Sequence, residues 1–174
     1  MQENDRWCWA GSLQAVLAYA GFYPRQCDIV SIYNDYEDYG RGHGDCCVLG
    51  PKWASDCYHG GYSDGYPPVL GHFGIPSYLN STVPLGRDDI NWSIRYNNPI
   101  IIRLDWENGG AHAVVIHGFT ASNMEEDLVH IVDPGPSWGY QVITYNALIN
   151  GGYGDSGYWD RSVFPQIGVP PPKI

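Results

Sequence analysis

The chain has 174 residues, only 16% of them charged, and a formal net charge of −10 at pH 7. That length suits one domain with a sizeable core, while the acidic balance and the lack of a basic stripe exclude nucleic acid and anionic membranes as partners. No run approaches the roughly 20 apolar residues of a membrane span, and 22 glycines with 14 tyrosines point to a loop-rich, rigid surface.

The first element follows the segment Gln2-Glu3-Asn4-Asp5-Arg6-Trp7-Cys8-Trp9-Ala10-Gly11-Ser12. Trp9, Leu13, Val16, Leu17 and Ala20 recur at spacings of three and four, which predicts a helix with one apolar face ending near Gly21. Cys8 stands at its first turn, where unpaired N–H groups and the macrodipole favour a thiolate, the reactive form of cysteine. Gln2, six residues upstream, offers an amide donor to an oxyanion beside that sulfur.

A short second helix is expected over Cys27 to Tyr33. Asn34 to Pro68 then reads as a long loop rich in Gly, Tyr and Asp, which needs tying down. Pro67 to Phe73 suggests a third helix, and Asp88 to Asn97 an amphipathic one. Strands are expected at 99–105, 111–120, 127–133 and 139–144, then a short helix near 145–150 and a last strand around 157–164. The tail Val169-Pro170-Pro171-Pro172-Lys173 should be extended. No internal repeat is visible.

The strand at 111–120 carries a base for the cysteine. In Gly109-Gly110-Ala111-His112-Ala113-Val114-Val115, a glycine turn leads His112 into a β-forming run. The strand at 127–133 ends in Asp133-Pro134, and a carboxylate there would orient the imidazole and stabilise its charged form. Asp105, closing Ile100-Ile101-Ile102-Arg103-Leu104, is the rival acid, disfavoured because it precedes His112 and faces a loop. His117 and His130 read as structural residues.

Besides Cys8 there are four cysteines, Cys27, Cys46, Cys47 and Cys57. Joining the neighbours Cys46 and Cys47 would be strained. Two pairings remain: Cys27–Cys46 with Cys47–Cys57, or Cys27–Cys47 with Cys46–Cys57. A zinc site helped by His43 and His59 is the competing reading, weakened by the lack of a Cys-x-x-Cys pair. Two disulfides and one free thiol account for all five cysteines and imply an oxidising home, secreted or exported. Met1 is followed at once by polar residues rather than a secretory signal, so the chain reads as a mature form with its upstream portion missing.

These motifs resemble the papain-like cysteine peptidases. A glutamine six residues before the cysteine, a tryptophan after it and a long helix opening at it are matched by Gln2, Cys8 and Trp9. The family's histidine precedes a small residue and a hydrophobic strand, as His112 precedes Ala113-Val114-Val115. Its third position is usually Asn with a tryptophan close behind; Asp133 stands here, followed by Trp138. Trp-Cys-Trp-Ala-Gly and the Val-Asp-Pro strand end look like the short bacterial secreted and effector-type members. The resemblance runs from Gln2 to about Phe164, with segment 34–83 matching only in its cysteines.

The resemblance implies an α+β fold in a single domain over 1–174. A helical lobe over about 1–80 would carry the Cys8 helix, packed on an antiparallel β-sheet lobe over about 81–174. It implies a Cys8–His112–Asp133 triad with Gln2 in the oxyanion hole, no metal and no cofactor. The substrate would be a peptide or protein, with a pro-segment or an inhibitor protein as further candidate partners. Two other classes share the constellation. A deamidase, transglutaminase-like acyltransferase or leader-peptide processor would release ammonia or incorporate an amine. An inactive peptide-binding domain on the same scaffold would leave Cys8 inert to alkylation.

Overall fold

The computed structural model describes residues 1–37, 44–49, 55–81, 83–122, 126–154 and 157–168. His43 and the proline tail from Val169 lie outside the described residues. The helices are α1 (Cys8–Tyr19), α2 (Gln26–Glu37), α3 (Cys46–Leu49), α4 (Tyr66–His72), α5 (Arg87–Arg95) and α6 (Tyr145–Ile149). The strands are β1 (Ser77–Asn80), β2 (Ile100–Trp106), β3 (Ala111–Thr120), β4 (Leu128–Asp133), β5 (Gly139–Thr144) and β6 (Gly157–Pro165). They form one antiparallel sheet in the order β1-β6-β2-β3-β4-β5. No described helix is long and apolar enough to cross a membrane.

Strand alternation gives the sheet two apolar faces. Ile101, Ala113, Val115 and Val163 point to one side, where Trp9, Leu13 and Leu17 of α1, Ile29 and Val30 of α2, and Val69 and Leu70 of α4 cover them. Ile100, Ile102, Leu104, Val114, Ile116, Val129 and Ile131 point to the other, beneath Ile90 of α5 and Leu148 of α6. Each of these side chains contributes about 1.5–3 kcal/mol by leaving water, so the α1 seam anchors the first third of the chain firmly.

Three departures from the sequence reading have local causes. Helix α2 runs on to Glu37 because Asn34 faces inward, bonding the Asp56 carbonyl through Nδ2 and His59 Nε2 through Oδ1 at 2.7 Å. Inside the expected loop, α3 and two short 3-10 turns, Ser55–Cys57 and Ser63–Gly65, take up much of the chain. Strand β1 was not expected, since four residues are too few to show alternation. It joins β6 with Ser77 opposite Pro165, so the sheet begins at Ser77, ahead of the expected lobe boundary near residue 80.

Of the two cysteine pairings, the structure has Cys27–Cys47 and Cys46–Cys57. These sulfurs are therefore not thiolates for a zinc ion, and Cys8 keeps a free thiol. The first bond ties α2 to α3; the second ties α3 to the segment leading to His59.

Candidate active site

Cys8 is the first residue of α1, and no side chain caps that helix start. Its first-turn N–H groups therefore have no intrahelical acceptor. One turn on, Ser12 Oγ donates to the Ala113 carbonyl of β3 at 2.9 Å. Positions four apart share a helix face, so this bond sets Cys8 against the start of β3, where His112 stands. Gly11 makes the approach possible. A Cβ there would lie 2.7 Å from Pro134 Cβ, so only glycine lets α1 close onto the loop after β4.

The β3–β4 register makes His112 and Asp133 diagonal neighbours on one face of the sheet, since Val115 faces Val132 and Ile116 faces Ile131. His112 Nε2 and Asp133 Oδ1 are 2.7 Å apart, with the carboxylate 1% exposed and the imidazole 15%. The other ring nitrogen is left for Cys8, the second group that favours the charged imidazole. Burial alone would lower the His112 pKa. The bonds to Asp133 and Cys8 and their negative charge outweigh it, and the imidazole is pushed up to about 9.

Burial also works against the Asp133 anion, but its donors prevail and hold it below the usual carboxylate value. His112 and the Gly135 N–H, at 2.7 Å, serve Oδ1; the Tyr153 hydroxyl, at 2.6 Å, serves Oδ2. Trp106 stacks over His112 with ring centroids 6.0 Å apart, and Trp138 stacks on Tyr153 at 5.9 Å. Gly135 and Tyr153 were not singled out from sequence. The one available signal was a lone large side chain in Gly151-Gly152-Tyr153-Gly154.

Asp105 does not reach His112. Its carboxylate pairs with Arg103 Nη2 at 2.9 Å, and Arg103 Nη1 binds Asp160 at 2.9 Å. Gln2 is tied to the same strand end as Asp133, its N–H donating to the Pro134 carbonyl at 2.6 Å. Its amide Nε2 donates to the Asn4 carbonyl at 2.9 Å, and its buried Oε1 has no hydrogen-bond partner. His117 and His130 lie 6.2 Å apart on β3 and β4, away from Cys8.

A cleft of about 1040 Å³ opens before Cys8 and His112. One wall is His59-Gly60-Gly61-Tyr62, held by Trp9 Nε1 donating to the His59 carbonyl at 3.2 Å and by Tyr62 N–H donating to Tyr33 Oη at 2.9 Å. The opposite lip is the β2–β3 turn at Gly109 and Gly110, whose φ values of 88° and 87° suit glycine. A nucleophile, a base held by an acid and an open cleft in front of them are what acyl transfer requires.

The family model described as the Peptidase_C39 like family matches residues 1–161. No curated protein sequence matches the chain. Among solved structures, the peptidase domain of Streptococcus ComA, a bi-functional ABC transporter involved in a quorum sensing pathway, has a TM-score of 0.59 at 14% identity, covering 94% of this chain and 93% of that one. The Pseudomonas avirulence protein AvrPphB has a TM-score of 0.37 at 11% identity, covering 91% and 89%. The first likeness shows the papain-like fold of the chain.

Proposed function

The chain belongs to the Peptidase_C39 like family and is a papain-like cysteine peptidase; on that premise we propose that Cys8, His112 and Asp133 hydrolyse peptide bonds through a thioester. The observation that carries this reading is the free thiol at a helix start, sharing one cleft with an imidazole that a buried carboxylate holds at 2.7 Å. His112 takes the thiol proton, and the resulting imidazolium is stabilised by Asp133. Cys8 Sγ attacks the scissile carbonyl carbon. The oxyanion is held by the Cys8 backbone N–H and by Gln2 Nε2, which shares its protons between that oxygen and the Asn4 carbonyl. His112 then protonates the leaving amine and activates the water that hydrolyses the thioester.

We place the enzyme in an oxidising compartment, outside the cell that makes it, and two disulfides support this. The test is a proteome-derived peptide library. The wild type should generate new N-termini and Cys8→Ala none, while the two melt within a few degrees of each other. Ammonia release or amine incorporation without chain cleavage would overturn the peptidase reading.

A further inference from the structure

The mechanism above gives no part to the hydroxyl of Tyr153, a buried residue bonded to Asp133. The Tyr153 hydroxyl donates to Asp133 Oδ2 at 2.6 Å, on the carboxylate oxygen opposite the one that His112 uses. Building on the assignment of Cys8, His112 and Asp133, we propose that Tyr153 is a positioning residue that clamps the Asp133 carboxylate and so aims its other oxygen at His112.

The local chain is built to deliver this one side chain. Gly151 and Gly154 have φ values of 77° and 57°, and Gly152 N–H donates back to the Ala147 carbonyl at 2.8 Å. A Cβ on Gly152 would lie 2.8 Å from that carbonyl, and one on Gly154 would lie 3.1 Å from Trp106. Three glycines thus allow a turn tight enough to bury Tyr153 between α6 and β6, and the Tyr153–Gly157 bridge fixes its backbone to the sheet. Trp138 stacks on the phenol ring and limits its tilt.

A carboxylate turns about its Cβ–Cγ bond in a broad, roughly two-fold well, so one bond from His112 does not set its plane. The Gly135 N–H on Oδ1 and the Tyr153 hydroxyl on Oδ2 hold it from both sides. Tyr153 does not line the cleft, and its hydroxyl meets the site through Asp133.

A purely structural tyrosine, which only satisfies a buried anion, predicts a different response from a clamp. Without the hydroxyl, a carboxylate that keeps its aim becomes the better acceptor, and His112 would hold its proton at least as long. A carboxylate that loses its aim releases its grip on His112. The experiment is Tyr153→Phe, read as the pH dependence of Cys8 alkylation by iodoacetamide and of kcat and KM. The clamp predicts kcat lower by about tenfold with KM within about twofold, the worth of one hydrogen bond to a charged group. It also predicts that the alkaline limb moves to lower pH in both measurements. A limb unmoved or raised, with only a lower Tm, overturns the proposal.

A double variant covers the case in which Tyr153→Phe does not fold. Asp133→Ala removes the group that Tyr153 holds, so Asp133→Ala with Tyr153→Phe should match Asp133→Ala alone in kcat and pH profile. A further loss in the double variant means that Tyr153 acts by another route. Alkylation needs no substrate, so a wild type with a fast-reacting Cys8 and an unshifted Tyr153→Phe profile sinks this inference alone. A wild-type Cys8 that reacts slowly sinks the triad itself.

Discussion

Asp105 and Asp133 both stand at the ends of strands next to β3, one residue before the last in β2 and the last in β4, and the side-chain geometry tells them apart. Asp133 is enclosed and gives one oxygen to His112 at 2.7 Å, whereas Asp105 spends its charge on Arg103 at the cleft rim. Asp133→Ala should therefore lower kcat by at least about tenfold without abolishing turnover, since the thiol–imidazole pair persists. Asp105→Ala removes a half-exposed ion pair worth about 0–1 kcal/mol and should leave kcat within about twofold. Steady-state kinetics of the two variants decides it; the reverse order would give the acid role to Asp105. Cys8, His112 and Asp133 could be picked out from the sequence as candidates because each sits at or near the start or end of a periodic run. Gly135 and Tyr153 could not, since a hydrogen-bond donor to a carboxylate leaves no periodicity, and Tyr153 comes from a turn 20 residues away from Asp133.

Among the elements, the segment between α3 and α4 depends most on covalent ties. Cys46–Cys57 holds the chain that becomes the His59-Gly60-Gly61-Tyr62 wall, while Trp7 Nε1 donates to the Cys57 carbonyl at 2.9 Å. Cys27–Cys47 lies farther back, joining α2 to α3. Replacing either pair with serine should cost about 2–4 kcal/mol in urea unfolding. Only the Cys46→Ser, Cys57→Ser variant should also raise KM, because its wall borders the cleft. Equal KM values for the two variants would show that the wall does not need its disulfide. The strain of joining Cys46 to Cys47 had narrowed the pairing to two choices; the final one rests on which sulfurs α2 and α3 bring together, which no spacing rule contains.

The charge pair at the centre of the molecule links catalysis to stability. His112 keeps its proton to about 9 when folded, against an ordinary 6.5. Its contribution to stability is complete below 6.5 and disappears as the pH rises through about 9. Asp133 is held below its ordinary 3.8, so its contribution is complete above 3.8 and is lost as the pH falls toward the folded value. The urea midpoint should form a plateau between 3.8 and 6.5 and decline on either side. In Cys8→Ala the alkaline decline should begin at lower pH, because Cys8 is among the groups that raise His112; an unchanged decline would deny that contact. From sequence alone came the order of most helices and strands, the antiparallel sheet and the candidate triad, because apolar periodicity and strand ends are local properties of the chain. Tertiary structure decided which acid meets His112, which cysteines pair, that a four-residue strand joins the sheet edge and that Tyr153 reaches Asp133. Those contacts depend on strand register and on loops folding back between distant segments, and no neighbouring residue records them.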